Sequence, residues 1–341
     1  MTWHHGGFRG GLQAGKDVEN LVTDNASLND ALKYLYYTYV TYLAPVGGEA
    51  LALAGGLIPG HLGYESFHAI DNPTYTRIYG VDNVPYFPWG VIAKYPYDGA
   101  VSAGVMVASG WDYLSSPNSV PSYGGRLHWD VNESAWLRGN VFYGPEQQET
   151  ALDFWRLAVE GIGEIDFGDF GLVGNLGWGN EKQAMVSGNP RYQWSWGAVW
   201  LNWQPRGGPW SVGLRPEFFR DEDGLLTSAR QTITALTAAV RYEITTRRQL
   251  LQVRAEYRFD HSTGPQGRVL PGRRQHVGSR PAALHAGGEL ALRYLSGGVC
   301  LTGRPWGGLP RCVTWICSWP AGSSPAHSTR PQVAQVVQAL P

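Results

Sequence analysis

Residues 249–260 read QLLQVRAEYRFD and alternate from Leu251 to Asp260. Leu251, Val253, Ala255, Tyr257 and Phe259 fall on one side, and Gln252, Arg254, Glu256, Arg258 and Asp260 on the other. Successive side chains of an extended chain point to opposite faces, so this is a strand with one apolar and one charged face. The pattern recurs. In GGRLHWD, Leu127 and Trp129 oppose Arg126, His128 and Asp130; in SVGLRPEFFR, Val212, Leu214 and Phe218 oppose Ser211, Arg215 and Glu217. Thirteen such segments precede residue 261: 6–14, 31–43, 48–58, 89–96, 100–110, 122–130, 134–143, 151–161, 168–178, 191–203, 209–219, 230–244 and 250–260. Most exceed the ~5–6 residues of a soluble strand and suit the ~9–11 that cross a bilayer at a tilt.

The connections alternate in length. APVGGE, YPYDG, DVNE, GIGEID, QPRGG and TTRRQ are short, while 15–30, 57–88, 111–121, 144–150, 179–190 and 220–229 are long. Short turns on one rim and long loops on the other are the two ends of an outer-membrane barrel. Trp89, Tyr95, Trp111, Trp178, Trp203 and Trp210 lie near strand ends, where interfacial aromatic girdles belong. The prediction is an all-β fold, an antiparallel up-and-down transmembrane β-barrel. Its thirteenth strand runs outward, and a barrel with both termini on the short-turn side needs an even strand number, so one returning strand is missing at the C-terminal end.

Composition fits this picture. Charged residues make up 16%, aromatics 13%, and mean hydropathy is −0.25. No run approaches the ~18 apolar residues of a transmembrane helix, which says nothing against a barrel. The charge is uneven. Eight arginines and one acid, Glu289, follow Gln266, so residues 1–266 hold 27 − 8 = 19 basic and 28 − 1 = 27 acidic residues, a net of −8. An acidic body without a basic stripe argues against nucleic acid. Cys300, Cys312 and Cys317 all fall in this tail without metal-ligand spacing. The start, MTWHHGGFRGG, has neither the charged nor the apolar region of a signal peptide; His4 and His5 there carry no reading. The division expected is a partial barrel over 1–266 and an aberrant Arg/Pro/Gly-rich tail over 267–341, not natively folded.

GGFRGGLQAGKD, YVTYLAPVG, DNPTYTRIYG, VPYFPWGVIAKYP, NVFYGPEQ, EFFRDEDG and RAEYRFDHS, in this order over roughly residues 6–265, resemble the OmpL-like β-barrel porin family of Gram-negative outer membranes. The resemblance implies a barrel of about 16 strands, an outer-membrane location and assembly by the barrel-assembly machinery. Family members begin with a signal peptide and about two further strands and end in an apolar strand with a terminal aromatic. This chain ends QVVQALP. GRVLPGRRQHVGSRPAALHAGGELALR is compatible with G+C-rich codons that, shifted by one base, encode GFYRGAGNTSGPDPQLYTPGENSLS, which resembles the family's last loop and final strand. A frameshifted tail is therefore expected, to be checked in the gene's DNA.

The polar faces name the pore-lining candidates: Lys94, Arg126, His128, Arg138, Arg156, Glu160, Arg215, Glu217, Arg241, Glu243, Arg254, Glu256 and Arg258. Bases exceed acids here, His128 aside, and basic rings in pores favour anions. The 57–88 segment is too long for a plain turn. Glu65, Asp71, Arg77 and Asp82 would form a constriction if it folds inward; folding over the mouth is the equal alternative. His61, Glu65 and His68 lack a metal-binding spacing, and Asp260–His261 is too common a dipeptide to mark a hydrolase. No catalytic, cofactor or metal residue is expected, and no enzymatic activity. The function expected is passive diffusion of small hydrophilic solutes through a membrane pore. The alternatives are a soluble β-rich carbohydrate-binding protein, and a porin fragment that does not close.

Overall fold

The computed structural model describes residues 6–15, 34–66, 68–97, 99–111, 118–245, 249–264, 289–294, 301–302 and 312–315. Thirteen strands follow one another as an antiparallel meander: β1 (Gly6–Gly15), β2 (Leu35–Val46), β3 (Glu49–Leu57), β4 (Trp89–Tyr95), β5 (Val101–Ala108), β6 (Ser122–Asn132), β7 (Ala135–Pro145), β8 (Trp155–Phe167), β9 (Phe170–Lys182), β10 (Arg191–Trp203), β11 (Trp210–Asp221), β12 (Gln231–Thr245) and β13 (Gln249–Ser262). All thirteen predicted strands are present. A four-residue helix, α1 (Tyr79–Asp82), interrupts the 57–88 segment. His4, His5, Cys300, Cys317, most of the 15–30 and 111–121 loops and most of the tail lie outside the described residues.

Burial alternates as the sequence predicts. Along β5, Ser102, Gly104, Met106 and Ala108 are buried while Val101, Ala103, Val105 and Val107 are exposed. The exposed set is the apolar one: Val105, Leu127, Leu137, Leu176, Leu201, Leu214, Leu236 and Val253 all point out. An apolar outer face is what a bilayer requires, and it inverts the arrangement of a soluble sandwich. Exposed aromatics edge the short-turn rim, where Tyr95, Trp129, Phe167, Phe170, Trp203 and Trp210 stand outward. Trp89 and Trp178 do so toward the other rim.

Three expectations change. Trp111 is not in a girdle: it is buried, edge-on to Phe142 and Trp194. GIGEID is not a turn. β8 runs through it to Phe167, and the chain reverses at Gly168, which has the positive φ (77°) that glycine tolerates best. Its Gly161 and Gly163 hid the alternation that Ile162 and Glu164 continue. DVNE likewise belongs mostly to β6, with the reversal after Asn132.

Three short strands come from the tail: β14 (Glu289–Tyr294), β15 (Leu301–Thr302) and β16 (Cys312–Trp315). The sheet order is β15-β14-β13, then down to β1, then β16. β14 covers half of β13, from Gln249↔Tyr294 to Arg254↔Glu289. β16 covers β1 from Leu12↔Trp315 to Gly15↔Cys312. Among the described residues no ladder joins β15 to β16, so the sheet is not closed.

Candidate functional site: a loop folded across the lumen

The 57–88 segment folds inward. Each stretch of it meets an inward-facing side chain of a different strand, so the sheet wraps around it. The contacts are largely to its backbone. Arg126 of β6 donates to the His61 carbonyl (2.6 Å), and Glu160 of β8 accepts from the Gly63 N–H (2.8 Å). Arg254 of β13 donates to the carbonyls of Ala69 (3.0 Å) and Asn72 (2.8 Å). Glu256 accepts from the Thr76 N–H (3.0 Å) and Oγ1 (2.6 Å), Arg258 donates to the Arg77 carbonyl (2.7 Å), and Glu217 of β11 accepts from the Tyr79 N–H (3.1 Å). A segment without regular structure must satisfy its backbone polar groups somewhere, and here the wall does it. The charges that the alternation placed on the inner face serve first as anchors for this loop.

One anchor is fully buried. Arg215 of β11 pairs with Glu65 of the loop (2.7 Å) and with Glu217 beside it (3.0 Å), and donates to the Thr76 carbonyl. Glu217 also receives Arg258 (3.0 Å), which reaches Asp260 (2.8 Å). Glu65 further accepts from the Ile78 N–H (2.7 Å). Burial pushes the Glu65 carboxyl above its ordinary range, and Arg215 beside it pulls it back. With five charged groups linked in this way, removing one strands its partners.

Apolar packing completes the seal. Ile58, Leu62, Ile78, Val81 and Val84 of the loop join Phe142, Trp194, Trp196, Trp200 and Phe219 of the wall in one buried cluster. The tryptophans fit because small residues face them. Trp194 and Trp196 of β10 stand directly opposite Gly179 and Gly177 of β9. A Cβ at either glycine, or at Gly80 in α1, would overlap an indole ring. Trp196 Nε1 donates to Asn175 (3.0 Å), so the buried indole keeps a partner.

His61 sits deepest on the β6–β7 side. Its Nε2 lies 2.8 Å from the Val141 carbonyl, while Nδ1 is buried without a partner. The ring is therefore neutral with its proton on Nε2. Burial, and then the Arg126 cation, hold its pKa down at about 4. Gly124 makes the space; a Cβ there would come within 2.5 Å of the ring. His61 and Glu65 thus face different walls.

The remaining candidates are placed as follows. Arg156 pairs with Glu181 and lies over Trp111 (4.9 Å). Arg241 pairs with Glu243 (3.2 Å), and His128 with Asp130 (3.0 Å). Arg138 stacks on Trp136 (4.7 Å), and Lys94 lies over Tyr97 (5.8 Å). Arg77 pairs with Asp82 (2.9 Å) inside the loop. Asp71 is exposed toward a cavity of about 860 Å³ between the loop tip and the short-turn rim, lined also by Tyr64, Glu164, Asp166, Arg206 and Arg241. The Asp260–His261 pair is split, with Asp260 on Arg258 and His261 facing out. Sequence reasoning missed Glu146, Glu181 and Asp221, which lie inward at the ends of strands. Their signal was the same alternation, two or three residues past the predicted boundaries.

Among the described residues no cluster of His, Cys, Asp or Glu could hold a metal ion. Residues 1–279 match the model of the family described as putative beta-barrel porin-2, OmpL-like. No curated protein matches the chain. Membership implies an outer-membrane channel that works among membrane lipid and small solutes. With the strand meander, the apolar outer face and a family match over most of its length, the chain belongs to the OmpL-like β-barrel porins.

Proposed function

We propose that this protein is a passive, non-enzymatic pore for small hydrophilic solutes, weakly anion-preferring, with the 57–88 loop as its constriction and Glu65, Asp71, Arg77 and Asp82 carried on it. The observation that carries the reading is the inversion of the wall: apolar outside, polar inside, with a folded loop pinned across the interior. The anion preference is supported by Arg126 and Arg138, which make no ion pair among the described residues. Most acids of the inner wall are already engaged: Glu217 and Glu243 by arginines, Glu160 and Glu256 by hydrogen-bond donors. The carboxylates around the short-turn cavity keep the preference weak. Residues 1–266 are read as the evolved barrel, delivered by the barrel-assembly machinery, and 267–341 as a tail foreign to it, whose described residues add the short strands β14, β15 and β16 to the sheet. The family match ending at 279, close to where the composition changes, supports this.

The test is conductance in a planar bilayer under a potassium chloride gradient. The expected result is an ohmic step with a reversal potential toward chloride, and a larger step when residues 63–84 are replaced by a short glycine-serine link. A correctly folded barrel that stays silent in both forms overturns the pore, and a cation-selective reversal potential overturns the anion preference alone.

A further inference from the structure

The outer surface carries a feature that solute passage does not use. At the long-loop rim, Lys182 ends β9 and Arg191 begins β10, and the two are direct cross-strand partners. They share the outward face with Leu176, Trp178, Val199 and Leu201. Like charges directly opposite each other on a sheet repel. Here no acid relieves them: among the described residues neither makes an ion pair. Glu181, next to Lys182 in sequence, turns inward to Arg156. Of the acids on neighbouring segments, Glu149 and Asp153 lie on the exposed connection before β8, and Asp223 accepts from the Gln193 N–H (2.9 Å).

Both cations are backed by rings. Lys182 Nζ lies 4.8 Å from the Phe154 ring centroid, and the Arg191 guanidinium 3.6 Å from that of Trp155. One Arg191 nitrogen is fixed by Asn180 Oδ1 (2.9 Å). Such stacking holds a cation in place and leaves its other donors free for an anion. The pair stands at the upper edge of the lipid-facing band, at the depth of the polar headgroups. Two adjacent fixed cations above an apolar wall match a headgroup phosphate whose acyl chains run down over Trp178 and Leu176. We propose that Lys182 and Arg191 bind the phosphate of a phosphorylated lipid at the barrel's outer rim. The proposal rests on the barrel standing in a membrane with its long loops outward.

The test is native mass spectrometry of the refolded full chain in neutral detergent, titrated with phosphatidic acid, phosphatidylcholine or inorganic phosphate. One phosphatidic acid should bind the wild-type protein at least about tenfold more tightly than the Lys182→Gln/Arg191→Gln double variant. Arg206→Gln should bind as wild type, and Lys182→Arg should retain binding. Equal binding by the double variant overturns the site, and inorganic phosphate binding as tightly as phosphatidic acid overturns the lipid. Heat-modifiable mobility keeps the readings apart. A wild-type chain without it sinks the membrane pore along with this site. A folded barrel that binds phosphatidic acid without these two side chains sinks the site alone.

Discussion

His61 shows how one buried side chain ties stability to pH. Its folded pKa, about 4, lies below the ordinary histidine value of 6.5. The unfolded chain therefore takes up a proton on His61 first as pH falls, and stability drops between about pH 6.5 and 4. It is fully present above that window, and the loss approaches roughly 3 kcal/mol for this one group. Urea unfolding in detergent at pH 7 and pH 4 should show the loss, and His61→Gln, which keeps a donor for Val141 without a titrating ring, should flatten that part of it. Arg215 gives a second prediction. Arg215→Met leaves Glu65 and Glu217 buried against each other and should cost about 3–5 kcal/mol, while the double change with Glu65→Leu should recover part of it. The measured coupling between the two positions decides the point. Neither role was legible locally. Arg215 could be read as inward from its alternation with Leu214, but its partner Glu65 lies 150 residues away.

At the level of elements, the strands are far from equal. β9 and β10 are paired over their whole length on their shared edge, Arg191↔Lys182 through Trp203↔Phe170, and over most of it on their other edges, to β8 and β11. β13 has β12 on one side, but β14 leaves it after Arg254. β1 meets β16 only from Leu12 onward. Edge backbone groups without a partner exchange with water. Amide hydrogen exchange in residues 255–262 and 6–11 should therefore be much faster than in β9 and β10. Equal protection would mean a closed seam. The outward faces make a separate prediction. Val105→Arg, in mid-strand on the lipid side, should cost about 2–4 kcal/mol when unfolding is measured in lipid vesicles. Thirteen strands could be read from the sequence because an exposed apolar side chain every second residue leaves a period-2 trace. Boundaries slipped where glycine replaced the apolar partner, as at Gly161 and Gly163 of β8.

At the scale of the whole molecule, the interior is the surprise. The inner face carries charges and tryptophans together, and the loop satisfies both. Its backbone takes the charges, and Ile58, Leu62, Ile78, Val81 and Val84 cover the indoles. Deleting 63–84 should therefore expose Trp194, Trp196 and Trp200 to water and red-shift tryptophan emission, even where the wall persists. Emission unchanged from the intact chain would mean that the loop does not cover them.

The sequence by itself determined the strands, their two faces and the family resemblance, since these rest on contacts between residues near in the chain and on the side-chain period of two. It also set apart the residues past Gln266 by charge alone. Whether the 57–88 loop lies in the lumen or over the mouth was open from sequence, and tertiary structure decided it. The loop is held by β6, β8, β11 and β13 at once, through pairs such as Arg254 with Asn72 and Arg258 with Arg77, about 180 residues apart. No local pattern records such a pairing, because it exists only when the sheet curves far enough to bring those strands around a common interior.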